Sequence, residues 1–204
     1  TLFAENADSR LPMASTTKIM TALVALGEGD LDRVYTVKKQ YAAVEGSSMY
    51  LEEGERLTLR DTLYGLLLSS GNDAAAAVAG ECGGERAFVD KMNAKARELG
   101  LTDTRFENPS GLPSDGHYTT ARELAKITAA ALRDPVFRDI VSTKTCTAAG
   151  RTLVNHNRLL SLYEDAIGVK TGFTRAAGRC LVSAAERNGR TVIAVTLNDP
   201  DDWN

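Results

Sequence analysis

Residues 168–195 read GVKTGFTRAAGRCLVSAAERNGRTVIAV. Two runs rich in Val, Leu, Ile and Ala, 179–186 and 191–197, flank Asn188-Gly189. Asn-Gly between apolar runs is a strong hairpin signal, because both residues tolerate the positive φ of a tight turn. The chain therefore ends on adjacent antiparallel strands. A third apolar run, 166–171, leads into them and stops at Lys170-Thr171-Gly172. Short Val/Thr/Leu-rich segments at 143–148 and 151–154 extend the β-rich region upstream.

Before residue 143 the period changes. Thr58-Leu59-Arg60-Asp61 has the form of a capping box, followed by an apolar helical run to Leu68. Ser69-Ser70-Gly71-Asn72 interrupts it, and residues 73–82, with five alanines, read as a tightly packed helix. Residues 85–99 place Phe88, Met92 and Leu99 on one side of a third helix. Thr119-Thr120-Ala121-Arg122-Glu123 opens a fourth, running to about Leu132, and Pro135 suits the first turn of a fifth. Nearer the start, Leu2-Phe3-Ala4 reads as the end of a strand and Val34–Val37 as a short one. An apolar helix holds Ile19, Met20, Leu23, Val24 and Leu26. The pattern predicts an α/β (α+β) chain: a lobe from about 1–57 and 143–204, with an all-helical lobe, about 58–142, inserted. Strands from both ends are expected to share one antiparallel sheet, with a cleft between the lobes.

The 204 residues carry 43% hydrophobic and 25% charged side chains and a net charge of -3, an ordinary globular composition. No basic run suggests a nucleic-acid partner. No apolar stretch is long enough to span a bilayer. Cys82, Cys146 and Cys180 form no C-x-x-C pair and read as buried small hydrophobes. With only His117 and His156, neither in a ligand-spaced cluster, no metal site is expected. The chain begins at Thr1 without a signal-like segment, which reads as a processed product or a fragment.

Three clusters carry chemistry. Ser15 and Lys18 are spaced i, i+3, so on a helix Oγ and Nζ meet, as a nucleophile and its base require. Ser is also a favoured N-cap, and a helix-start lysine is ordinarily solvated. Ser70-Gly71-Asn72 breaks a helix, and also points a hydroxyl and an amide outward. Lys170-Thr171-Gly172 ends a strand, and also sets a cation and a hydroxyl on an edge that Gly172 keeps bare for a ligand backbone. Taken singly, each cluster has a structural explanation.

Taken together, Ser-x-x-Lys, Ser-Gly-Asn about 55 residues on, and Lys-Thr-Gly about 100 further resemble the penicillin-recognising serine enzymes. Within them, NADSRLPMASTTKIMTALVAL, LLLSSGNDAAAAVA, NPSGLPSDGHYTTARELA and NHNRLL are similar to the low-molecular-mass penicillin-binding proteins, the serine-type D-alanyl-D-alanine carboxypeptidases. The resemblance covers nearly the whole chain. It implies the penicillin-binding/β-lactamase-like fold and an acyl-enzyme on Ser15, formed with a peptidoglycan stem peptide ending in D-Ala-D-Ala. It implies Lys18 as a base kept neutral by burial and by Lys170, Ser70 as proton relay, and Asn72 as a holder of Lys18 and of substrate. Thr171 would bind the terminal carboxylate. Gly172 and Phe173 would line the substrate strand, with the backbone N–H groups of Ser15 and Phe173 facing the oxyanion. His156 would flank the cleft, as a substrate contact or only as part of its wall. His117 is expected to be structural in its loop.

The resemblance further implies inhibition by β-lactams, no cofactor and no nucleic acid. It implies a working place outside the cytoplasmic membrane, in the envelope or secreted. Relatives carry a strand before the equivalent of Thr1 and a strand and helix after that of Asn204. The sheet is therefore expected to lack terminal elements, and membrane association would run only through segments absent from this sequence. A class A β-lactamase is disfavoured by Gly71, where those enzymes have Asp, and by the lack of a Glu-x-x-Leu-Asn loop. A non-catalytic penicillin- or peptidoglycan-binding sensor is the rival from another class. Transpeptidation would share the same acyl-enzyme.

Overall fold

The computed structural model describes residues 1–200. A 3-10 turn, Ala14–Thr17, runs directly into α1 (Lys18–Leu26). Then come β1 (Val34–Thr36), α2 (Lys39–Ala42), β2 (Arg56–Thr58), α3 (Leu59–Leu67), α4 (Asn72–Glu81) and α5 (Glu85–Glu98). These are followed by α6 (Ala121–Ala131), α7 (Pro135–Ser142), β3 (Thr145–Ala148), β4 (Arg151–Val154) and α8 (Leu159–Leu162). The chain closes on β5 (Ala166–Thr174), β6 (Gly178–Arg187) and β7 (Arg190–Asp199).

β5, β6 and β7 form an antiparallel sheet in that order. Its last turn is the Asn-Gly hairpin: Arg187 pairs with Arg190, and Asn188 and Gly189 have φ of 52° and 71°. Two positive φ values in succession match the right-handed twist of the strands. β1 pairs with β2 and β3 with β4 as separate two-stranded ribbons.

Helix boundaries follow local chemistry. The Thr58 hydroxyl accepts from Asp61 N, while the Asp61 carboxylate accepts from Thr58 N, closing a capping box on α3. Thr120 caps α6 through Glu123 N. Asp134 caps α7, with Pro135 inside its first turn. α1 is the hub. Ile19, Met20, Ala22 and Ala25 are buried, and helices α3, α4, α5, α6 and α7 pack around them. The preceding 3-10 turn leaves this helical layer and lies against β5 and β6. The start of α1 thus sits where the helical layer meets the sheet.

Three local expectations are corrected. No strand forms at residues 2–4: Leu2 and Phe3 lie 93% and 81% exposed, and among the described residues no strand pairs with them. Among the described residues the three-stranded sheet is built from residues 166–199 alone, so no strand from the start of the chain joins it. Ser15 is not an N-cap either. It lies inside the 3-10 turn, whose preceding residue, Met13, makes no side-chain cap.

Candidate active site

Ser15, Ser70, His156, Thr171, Gly172 and Phe173 line one cavity of about 370 Å³, with Arg158, Arg179 and Ser47 also in its wall. Lys18 and Lys170 lie beneath it, 0% and 1% exposed. Asn72 touches Lys18 from α4. All nine residues singled out from the sequence therefore lie in or directly under one cleft.

Backbone shape sets this up. Ala14 has φ of 46° and Ser70 of 59°, both in the left-handed region that non-glycine residues enter reluctantly. Such outliers persist where the surroundings over-determine them, and they gather at functional sites. The turn at Ser70 ends α3 and starts α4, so Ser70 and Asn72 stand at the mouth of a helix N-terminus. The backbone of α4 is anchored there, Asn72 N donating to Ser47 O at 2.7 Å. On the sheet side, a side chain at Gly172 would press on Ser15 N and Thr16 N, at 3.0 and 3.1 Å from its Cβ. The bare edge expected for a ligand is needed first by the chain's own Ser15 turn. It brings the β5 backbone alongside the Ser15 amide.

Lys18 Nζ is 2.9 Å from Ser15 Oγ, 2.7 Å from Asn72 Oδ1 and 2.6 Å from the Ser110 carbonyl oxygen. Asn72 is fixed in orientation because its Nδ2 donates to Glu45 O at 2.7 Å. The oxygen facing Lys18 can therefore only accept, and so can the Ser110 carbonyl. A neutral amine has two N–H bonds and one lone pair. With both N–H groups taken by pure acceptors, the lone pair is left for the Ser15 hydroxyl.

Two influences push this amine toward its neutral form. Burial holds the Lys18 pKa well below the usual ammonium range, and the neighbouring Lys170 lowers it further, against a smaller opposing pull from Asp73. Lys170 is itself lowered to about 7 by burial, and its Nζ donates to Thr171 O at 2.9 Å. His156 is also lowered, by burial first and then by Lys170. Its backbone N donates to Leu68 O, which fastens the 155–157 segment to the end of α3. Asn155 shapes that segment, its Nδ2 donating to Val141 O and Thr143 O. The sheet face beyond Thr171 continues with Phe173, whose ring lies under the Arg179 guanidinium, 5.5 Å from centroid to carbon. Among the described residues, no group of three His, Cys, Asp or Glu side chains is arranged to hold a metal.

Several participants carry no sequence signal for their role. The Ser110 carbonyl is backbone, and any residue supplies one. Asp73 reads only as an acidic residue in a first helical turn. It is 1% exposed and accepts from Ser48 Oγ, Met49 N, Leu51 N and Ala74 N at 2.6–3.0 Å. In this way it staples the 45–51 loop, source of Glu45 O and Ser47, to the Asn72 end of α4.

The family model described as D-alanyl-D-alanine carboxypeptidase matches residues 1–201. A D-alanyl-D-alanine carboxypeptidase of Streptomyces sp. (strain K15) is 41% identical over 220 positions, covering 97% of this chain and 76% of that protein. D-alanyl-D-alanine carboxypeptidase DacF of Bacillus subtilis (strain 168) is 40% identical over 208 positions, covering 96% of this chain and 53% of that protein. The chain thus spans about half the length of the Bacillus relative. The crystal structure of the Streptomyces K15 DD-transpeptidase superposes with a TM-score of 0.91 at 40% identity, over 97% of this chain and 84% of that one.

Proposed function

This chain belongs to the D-alanyl-D-alanine carboxypeptidase family, and on that premise we propose that it removes the terminal D-alanine of peptidoglycan stem peptides through an acyl-enzyme on Ser15. The observation that carries this reading is the environment of Lys18: a wholly buried amine, two N–H acceptors that cannot donate, and Ser15 Oγ at 2.9 Å.

The chemistry follows from that geometry. Ser15 Oγ attacks the carbonyl between the two D-alanines while its proton passes to the Lys18 lone pair. Negative charge on the carbonyl oxygen is met by the Ser15 and Phe173 N–H groups, a preorganised pair of a kind commonly worth about 3–4 kcal/mol of barrier. The lysine proton passes through Ser70 to the departing amine, and D-alanine leaves. Water then attacks the ester, with Lys18 again the acceptor. Thr171 binds the terminal carboxylate. Lys170 adds positive potential there and opposes protonation of Lys18. Asn72 holds Lys18 and receives the substrate amide, and His156 lines the far wall. A β-lactam enters the same way, since its amide mimics the scissile bond, and leaves slowly.

Transfer of the acyl group to an amine instead of water would be transpeptidation, the activity in the name of the Streptomyces structure. A substrate in the cell wall puts the working place outside the cytoplasm, in the envelope or secreted. Among the described residues no helix is long and apolar enough to cross a membrane.

The decisive test is to incubate the protein with penicillin and map the adduct by mass spectrometry. A penicilloyl group on Ser15, lost in Ser15→Ala, is expected, together with D-alanine release from a D-Ala-D-Ala peptide. An adduct elsewhere overturns the nucleophile assignment. Rapid penicillin turnover without D-alanine release makes the protein a β-lactamase.

A further inference from the structure

His117 is a buried titratable group near the cleft that the proposed reaction does not use. It is 4% exposed, and its ring stands edge-on to Phe106 with centroids 5.8 Å apart. Both ring nitrogens are engaged. Glu107 N lies 3.0 Å from Nδ1, and Thr17 Oγ1 lies 2.8 Å from Nε2. A backbone N–H can only donate, so Nδ1 must be the bare, accepting nitrogen. The proton is then on Nε2 and points to Thr17, the residue before Lys18.

The segment that His117 gathers is the one that supplies the Ser110 carbonyl. Asn108 Oδ1 accepts from Ser110 N, Gly111 N and Leu112 N at 2.7–3.2 Å, so residues 108–112 form one rigid turn. That turn is pinned to the nucleophile helix at two places. One is Thr21 Oγ1 donating to Pro109 O at 2.6 Å; the other is the Thr17–His117–Glu107 bridge. Lys18 lies between Thr17 and Thr21, and Ser110 O meets it there.

We infer that His117 is a positioning residue for the base: its neutral Nε2–H tautomer ties the 107–111 segment to Thr17 and so holds the Ser110 carbonyl that fixes the Lys18 lone pair on Ser15. The inference rests on the acyl-enzyme reading above. Burial keeps the imidazole neutral at working pH, lowering its pKa to about 4; Glu107 opposes this and Lys18 adds to it. These are the charged groups that act on the ring. Around Lys18 they are Lys170 on β5 and Asp73 on α4. Protonation of Nδ1 would set two donors against each other at Glu107 and release the turn.

The test uses two variants of the full chain. His117→Phe keeps a flat buried ring without nitrogens, and Thr17→Val removes one oxygen with little change of shape. Acylation of Ser15 by a chromogenic β-lactam is followed against pH, with melting temperature alongside. Each variant should acylate about 10- to 100-fold more slowly, the range expected when a reacting group is misplaced by an ångström. The double variant should be scarcely slower than either single one, because both break one bridge. The acid limb should move to lower pH, since the lost carbonyl acceptor favours protonated Lys18. If His117→Phe does not fold, Thr17→Val decides alone. Folded variants with the parental rate and an unmoved acid limb overturn the positioning role. A parent protein that takes no adduct on Ser15 overturns the acyl-enzyme reading instead.

Discussion

Asp73 and Lys18 are equally hidden from water, yet the fold treats them in opposite ways. Asp73 and the similarly buried Glu123 are saturated with donors. Glu123 accepts from Thr102 N, Asp103 N and Thr104 Oγ1 at 2.6–3.0 Å, as Asp73 does from its own four groups. These carboxylates tie loops to helix starts. Lys18 and Lys170 share a cleft with each other and bond to neutral acceptors; among the described residues no carboxylate bonds to either amine. A buried acid that is fully satisfied builds the scaffold. A buried base left short of negative charge must give up its proton, and this readies it for chemistry.

The contrast can be broken at four points. The largest effect is expected at Lys18. Arg keeps the charge but cannot supply a lone pair, so Lys18→Arg should slow Ser15 acylation by about 10³-fold. Stopped-flow with a chromogenic β-lactam measures it. A parental rate would show that another group takes the proton.

Next is Lys170, where function and stability should separate. A lysine whose folded pKa is about 7 against an ordinary 10.5 destabilises the fold below about pH 7. The penalty fades as the pH rises from about 7 to 10.5, because the unfolded chain binds the extra proton throughout that range. Lys170→Met should therefore unfold in urea with about 3–4 kcal/mol more stability at pH 7. That gain should vanish near pH 10.5, and D-alanine release should be lost at every pH. A variant less stable than the parent at pH 7 would show that Lys170 is well compensated where it lies.

Asp73 should answer in the opposite sense. Asp73→Asn sets an amide N–H₂ against donors and weakens charge-assisted bonds, which should lower stability by about 3 kcal/mol. Since the 45–51 loop also orients Asn72, acylation should slow as well. A loss below about 1 kcal/mol would place the staple elsewhere.

The smallest expected effect is at His117, a buried base of the scaffold and not of the cleft floor. Its folded pKa of about 4 lies below the ordinary 6.5. Stability is therefore complete above about pH 6.5 and falls as the pH drops toward 4, by about 2–3 kcal/mol. His117→Phe should flatten that segment of the stability–pH curve, measured by urea unfolding. The chain has only one other histidine, His156, so the assignment is direct.

How much of this was legible in the sequence depends on what each group contributes. Ser15, Lys18, Ser70, Asn72 and Lys170 contribute side chains, and their spacing carried over to the cleft. Helix starts at Thr58, Thr120 and Pro135 were legible because capping is a local interaction. Leu2-Phe3-Ala4 misled because apolar residues form a strand only beside a partner, and none pairs with them in the described structure. The N-cap reading of Ser15, offered beside the nucleophile reading, does not hold because Ser15 lies inside the 3-10 turn and its hydroxyl meets Lys18. The Ser110 carbonyl left no trace, since every residue brings a backbone oxygen. His117 was legible as a residue of its loop, but not as a bridge to Thr17, one hundred positions earlier.

The sequence by itself determined the elements and the reactive inventory: alternating strands around an Asn-Gly turn, capped helices, and three clusters of hydroxyls, amides and amines. Those depend on interactions within a few residues, or on chemistry that a side chain carries wherever it goes. Only the tertiary structure decided the state of that chemistry. Burial pushes Lys18 toward its neutral form, the neighbouring Lys170 deepens the effect, and Asn72 and Ser110 accept the amine's two N–H bonds. Each of these is a long-range encounter whose strength depends on the absence of water, and no stretch of the sequence excludes water until the chain has folded.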